Sequence, residues 1–524
     1  MRAQHLQTVF SKPGTFKRCL TMIQSRGVLA FLLTVALFAT GCAGWRGVRE
    51  PDVEPPPEQF IQAEQTANYS DEPWWPAFGD TTLNRLMDEA FSSNLTLQQQ
   101  AARLQQTRHA LAMARASWFP SLNVSGSFTE YDFVGDPLGE TGGGQGGQGG
   151  QSGGGEAQPS QFGLFIFPWE GSLSASYEVD LWGKLNAGRQ AAWADLIASE
   201  EDLRALTLTM SAQVARSYYR VVELKQQLEL VQRTIDSYND YKQLVTERYN
   251  RGVSSSADLY QAETNLTAAL SQREQLKGLY AQAQHALSVL LGRYPQTDML
   301  GDAIELPAEV EQTPVGLPSE LIRRRPDVRA SYARMIAADR RAAEAVANMY
   351  PKISLTGTVS ARSDDVEGLF DPDRMIWMFI SNLSAPLFQG GRLRANKNMN
   401  EAAWDAAMIG YRQTMLSAYR DVEDALVTGR TQVNYVAALK RQAEAAAGNL
   451  RIATDRYMQG ITNYLPVVLA QTSYFNVQRS LITARRGLVD ARIQLAVALG
   501  GGWTNDTIET HLAEKPLHKE MKDE

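Results

Sequence analysis

Apolar and polar positions along this chain follow two periods, and the switch between them occurs twice. From Thr81 to Ala116 apolar residues recur at three- and four-residue steps, through Leu83, Leu86, Ala90, Leu97, Leu104 and Ala112, which predicts helix. Pro120 stops that pattern, because the residue before a proline is pushed out of the helical region, and alternation takes over. Leu122, Val124, Gly126 and Phe128 fall on one face of a predicted strand, and Asn123, Ser125, Ser127 and Thr129 on the other. After Pro351 the same change recurs, with Ile353, Leu355, Gly357 and Val359 set against Ser354, Thr356, Thr358 and Ser360. Return strands are predicted at 171–182 and 380–388. Long helical patterns follow at 185–249 and 393–457, and each is answered by a second helix, at 256–291 and 463–499. Sixty helical residues extend about 90 Å at the usual rise, so these helices belong to a rod or tube. Their polar residues are too frequent for a lipid-facing helix.

Each long helix ends in Arg-Tyr-x-x-Gly, first at Arg248, Tyr249 and Gly252, then 208 residues later at Arg456, Tyr457 and Gly460. The glycine supplies the permissive backbone at which the chain reverses. Ser254–Ser256 in the first copy, and Thr462 and Asn463 in the second, are candidate caps of the returning helix. The copies differ beyond the glycine: Tyr464 and Pro466 occur only in the second. The two turns are therefore not expected to dock or move identically.

The order helix, proline, strand, loop, strand, helical hairpin thus appears twice. The first repeat is read over 80–300, with its strand hairpin at 121–182 and helical hairpin at 185–292. A linker at 301–316 leads to the second repeat over 317–503, with hairpins at 352–388 and 393–499. A polar tail occupies 504–524. The loop after the first strand holds eleven glycines between Gly139 and Gly155. No Lys-Ser or Lys-Thr follows them to hold a phosphate, which leaves an exposed hairpin turn. Phe162, Phe165, Phe167 and Trp169 come next, either as a membrane aromatic belt or as ordinary core.

Composition narrows the function classes. A formal charge of -7 with scattered Lys and Arg argues against nucleic-acid binding. Five histidines and two cysteines supply little for a metal cluster or a disulfide framework. The N-terminus carries Arg2, Lys12, Lys17, Arg18 and Arg26 without an acid, then the apolar run 27–41, which reads as a signal peptide over 1–41. Its removal takes five cations and moves the formal charge from -7 to -12. "FATGCAG" then resembles a bacterial lipoprotein processing site with Cys42 as the acylated first residue. The other reading is a simple signal peptide with Cys42 passive. Residues 42–79 form a Pro- and acid-rich tether.

Together with these features, "YEVDLWGKL" (177–185), "RRRPDVRAS" (323–331) and "ALGGGW" (498–503) resemble the outer-membrane factor family. These are the TolC-like exit ducts of Gram-negative tripartite efflux systems, and the resemblance is to the NodT/OprM-like lipoprotein branch. It implies an internally duplicated, mixed α/β membrane protein in the outer membrane. Four strands per chain would enter a homotrimeric twelve-stranded barrel, and the helices a coiled-coil periplasmic tunnel. Independently, four strands are too few to close, and open edges cannot remain in lipid.

The implied partners are further copies of the chain, a periplasmic adaptor, an inner-membrane pump of the resistance-nodulation-division type, and outer-membrane lipid. No cofactor, metal or catalysis is implied. Multidrug efflux is among the implied roles. Arg248, Tyr249, Gly252, Arg456, Tyr457 and Gly460 would meet the adaptor, and Glu247 and Asp455 are candidate gate carboxylates, the alternative being ordinary solvated pairs. A coiled-coil envelope scaffold without a pore, or a secreted hydrolase, are the competing classes. The scaffold gives no reason for amphipathic strands, and the hydrolase lacks an assembled nucleophile and base.

Overall fold

A computed structural model of the chain describes residues 72–129, 169–297 and 324–501, together with positions 49, 57, 59–62, 306, 307 and 318. The expected signal peptide over 1–41, Cys42, the glycine-rich loop, Phe162, Phe165 and Phe167, nearly all of the linker and the tail lie outside the described residues. Two compact units are built from discontinuous stretches. One takes residues 112–190 and 340–400, and the other takes 48–111, 191–339 and the chain from 401 onward.

The first unit is organised by a sheet. Strands β1 (Ser121–Phe128), β2 (Trp169–Val179), β3 (Lys352–Ser363) and β4 (Met375–Ser384) pair antiparallel in that order. The two hairpins expected from the sequence are joined to each other, because β2 pairs with β3 from Trp169↔Ser363 to Val179↔Ile353. Strands β1 and β4 are left as edges. The pairing puts Val124, Leu173, Val359 and Trp377 in one row and Ser125, Ser172, Ser360 and Ile376 in the next. One face is therefore apolar and the other is rich in serine and threonine. On β4 the alternation fails, since Ile376, Met378 and Ile380 occupy the otherwise polar face. All three are exposed, as are Leu122, Val124 and Phe379 on the apolar face. Among the described residues no helix is long and apolar enough to cross a membrane.

Strand β4 begins at Met375 where Ile380 was expected and ends before Pro386, which has no N–H for a ladder. Strand β2 ends at Val179, short of the expected Trp182, because the next residues are committed to a helix start. Asp180 accepts the backbone N–H groups of Leu185 (3.0 Å) and Asn186 (2.9 Å), which opens α3 (Lys184–Asn250). Trp182 stacks on Tyr350 at 4.9 Å and donates to the carbonyl of Pro351 at 2.6 Å. The "DLWGK" motif of one repeat thereby fixes the proline break of the other.

The second unit holds the helical core. Helix α1 (Thr81–Ser93) starts on Asp80, whose carboxylate accepts from Thr82 and Leu83 N–H. The same carboxylate accepts from the buried Tyr218 hydroxyl at 2.6 Å, and burial pushes that phenol well above its usual pKa. The single helical pattern read from Thr81 to Ala116 is broken at Asn94. Its side chain caps α2 (Leu95–Ala116) through Thr96 and Leu97 N–H, and donates at 2.7 Å to the Leu290 carbonyl ending α4 (Ser256–Leu290). Trp74, Trp75, Leu83, Met87, Tyr218, Val222 and Leu287 form the largest buried cluster, so part of the tether region is core.

Two further sequence motifs meet in this unit. Arg325, just before α5 (Pro326–Ala347), forks onto both carboxylate oxygens of Asp327 at 3.0 and 2.7 Å and reaches Asp421 at 3.1 Å on α6 (Arg392–Met458). It also donates to the Ala498 carbonyl, the last residue of α7 (Leu465–Ala498). Gly500, at φ +89°, lies so close that a Cβ there would come within 3.0 Å of the Arg325 Cα. "RRRPDVR" and "ALGGG" are two sides of one latch. Farther up the tether, Phe60 enters a core cluster with Val328, Met335 and Tyr411. Glu423 accepts the N–H groups of Ile61 and Gln62 at 2.6 and 3.0 Å.

Candidate functional site

The repeated Arg-Tyr-x-x-Gly phrase is a helix-terminating turn, made twice. Gly252 (φ +78°) donates to the Tyr249 carbonyl at 2.9 Å, and Val253 donates to that of Arg248 at 2.8 Å. Gly460 (φ +75°) donates to the Tyr457 carbonyl and Ile461 to that of Arg456, both at 3.0 Å. These paired bonds, with glycine in the left-handed region, are the Schellman arrangement. The spacing follows from it: Arg and Tyr supply the two carbonyls that the reversing chain must satisfy.

The return helices start differently. Ser255 makes a full capping box with Asp258, each side chain taking the other's backbone N–H, at 3.2 and 3.1 Å. In the second copy neither Thr462 nor Asn463 caps α7, and the expectation for them is corrected. That helix begins at Leu465, with Pro466 in its first turn and no side-chain cap on Tyr464. Proline needs no partner there, since it has no N–H to satisfy.

Packing separates the two tyrosines. Tyr457 is 2% exposed and Tyr464 1%, whereas Tyr249 is 42% exposed. Tyr457, Tyr464, Val245, Ala262, Val467 and Val468 form one buried cluster drawn from all four helices. The two tyrosine rings lie 5.6 Å apart, and burial raises the Tyr464 phenol pKa. Arg248 bridges the turns. Its guanidinium sits 4.6 Å over the Tyr457 ring and donates at 3.1 Å to the Tyr457 carbonyl, which already accepts from Gly460. A cation at a helix C-terminus also meets the negative end of the helix dipole. Arg456, its counterpart, is exposed. Tyr241 and Thr454 add a hydroxyl pair at 2.6 Å, and Lys242 pairs with Glu263.

Of the expected gate carboxylates, Glu247 is exposed and faces Arg251 on its own turn at 3.8 Å; Asp455 is exposed on α6. The geometry brings Arg248, Tyr457 and Gly460 together and leaves Tyr249, Arg456 and the two acids on the surface. Among the described residues no group of three His, Cys, Asp or Glu side chains could hold a metal ion.

Two repeats of strand hairpin and long helical hairpin, with paired turns at the helix ends, coincide with the reach of one family model. The model for outer membrane efflux proteins matches residues 86–293 and 317–501, most of the chain. The chain belongs to the outer membrane efflux protein family. Among relatives, the solvent efflux pump outer membrane protein SrpC of Pseudomonas putida is 30% identical over 82% of this chain and 87% of its own length. Outer membrane protein OprJ of Pseudomonas aeruginosa is 31% identical over 82% and 86%. The open state of the Neisseria gonorrhoeae MtrE outer membrane channel superposes with a TM-score of 0.73 at 26% identity, covering 89% of this chain and all of that one. This efflux protein is accordingly an outer-membrane channel component of tripartite efflux systems, and it belongs with non-catalytic channels.

Proposed function

We propose that this efflux protein is a lipid-anchored homotrimer of the NodT/OprM-like branch. Three four-stranded sheets close into one twelve-stranded barrel, and the helical hairpins form a tunnel that receives solutes from an adaptor and a resistance-nodulation-division pump. The observation that carries this reading is the sheet: among the described residues the outer edges of β1 and β4 have no pairing strand, one face is apolar and exposed, and the central stretch Ile353–Ala361 holds no charge. Nine residues extend about 30 Å, close to what a tilted strand needs to cross the hydrocarbon core. Unpaired edges have no partner in lipid, so further copies of the chain must supply it.

In this reading the paired turns are the adaptor-facing end, and Glu247 and Asp455, repeated by threefold symmetry, form negative rings at the aperture. Named relatives include a solvent pump component, a toluene pump component and a cation efflux protein. Cargo is therefore assigned to the pump, with the duct serving small solutes as a passive exit.

Native mass spectrometry of the protein extracted from membranes tests the assembly and the anchor together. Three copies are expected, each beginning at Cys42 and carrying acyl chains that a Cys42→Ser variant lacks. A monomer with an unmodified N-terminus would overturn both.

A further inference from the structure

The two ends of the sheet carry opposite charge. Where the strands meet the helices, residues 115–120, 178–189, 344–352 and 385–397 hold seven Lys and Arg against three acids. Two of those acids are engaged: Glu178 pairs with Lys184 at 2.9 Å, and Asp180 accepts two backbone N–H groups. At the opposite end, among the described residues, Glu170 and residues 362–374 hold six acids against Arg362 and Arg374. Between the ends, 121–128, 171–177, 353–361 and 375–384 contain no charged residue.

Large apolar side chains sit among the cations of the basic end. Leu387 is 95% exposed, Phe388 90% and Phe119 72%, and the Arg189 guanidinium lies 4.9 Å over the Trp118 ring. Arg392 and Arg394 are exposed in the stretch that follows Phe388, and Lys352 is exposed at the start of β3, opposite Ser384 at the end of β4. We propose that this basic rim binds the headgroups of anionic phospholipids in the leaflet on the helical side of the membrane. Guanidinium and ammonium groups take the phosphates, and Leu387, Phe388 and Phe119 lie at the top of the acyl chains. A free phosphate would satisfy the cations but leave those three side chains in water; a lipid covers both. The acidic end repels the same headgroups, so the asymmetry also orients the sheet. The inference rests on the barrel reading, because only an inserted sheet presents its rim to a leaflet.

Electron spin resonance on the full chain, reconstituted in phosphatidylcholine vesicles with trace spin-labelled phosphatidylglycerol or phosphatidylcholine, separates the two claims. A motionally restricted lipid population is expected with either label, as insertion requires; its absence overturns the barrel reading and the rim with it. Within that population, phosphatidylglycerol is expected to be favoured about threefold or more, since basic side chains at the surface attract anionic headgroups. The preference is expected to shrink toward unity in an Arg189→Gln, Lys352→Gln, Arg392→Gln, Arg394→Gln variant. It is also expected to shrink for the wild type in 1 M salt, where screening acts within about 3 Å. Restricted lipid without preference, or a preference that survives both treatments, overturns the rim while leaving the barrel standing.

Discussion

Gly292→Ala is expected to destabilise the protein by about 3 kcal/mol or more, summing left-handed strain of about 1–2 kcal/mol with the displacement of a packed backbone. Gly292 ends α4 at φ +71°, with its N–H on the Val289 carbonyl and the Arg293 N–H on that of Ser288. A methyl group there would lie 2.3 Å from the Ser93 carbonyl oxygen and 3.0 Å from its carbon. That is backbone, and it cannot rotate away. Ser93 adjoins Asn94, whose side chain both caps α2 and holds the Leu290 carbonyl, so the shift would loosen three helix ends together. Gly252→Ala and Gly460→Ala are the internal controls. Their φ values are nearly the same, but an added Cβ meets nothing within 4 Å, which leaves strain alone. Comparison of thermal midpoints checks this: a Gly292→Ala midpoint no lower than those of the two turn variants would contradict the packing described.

Arg248→Ala is expected to raise the open probability of the duct by about tenfold or more. The side chain links the two turns through a cation over an aromatic ring, about 0.5–2 kcal/mol, and a charged hydrogen bond to a carbonyl, about 1.5–3 kcal/mol. Each 1.4 kcal/mol is a factor of ten in an equilibrium between turns held together and turns apart. Arg248→Lys retains the charge without the planar stack and is expected to fall between. Arg456→Ala, at the equivalent but exposed position, is expected to behave as wild type. Channel recordings in which Arg248→Ala and Arg456→Ala cannot be told apart would count against a role of Arg248 in holding the duct closed.

Much of this fold was legible in the sequence because its periodicities are long and repeated. The helix written as 185–249 occupies Lys184–Asn250, and that written as 393–457 occupies Arg392–Met458. Boundaries shifted where a side chain spends its hydrogen bonds on a neighbouring element: Asp180 shortens β2, and Asn94 splits a helix whose apolar spacing runs unbroken across it. Strand β4 starts in six consecutive apolar residues, Met375 to Ile380, which fill both faces and offer no alternation to read. Both Arg-Tyr-x-x-Gly turns were found, yet the sequence treats their arginines as equals. What distinguishes them is Tyr457, which Tyr464 helps to bury and whose ring and carbonyl Arg248 closes against. That relation joins positions 209 residues apart, and no local pattern carries it. The Arg325–Gly500 latch is of the same kind: both motifs could be quoted, but their contact could not be inferred from either.

Single-channel recording on the full-length, membrane-extracted protein in planar lipid bilayers tests the duct most directly. Discrete openings that favour cations are expected, infrequent in the wild type and frequent in Arg248→Ala, with the cation preference reduced in Glu247→Gln and Asp455→Asn. Membranes that stay silent for the wild type and all three variants, with insertion verified in the same preparations, would contradict an exit duct.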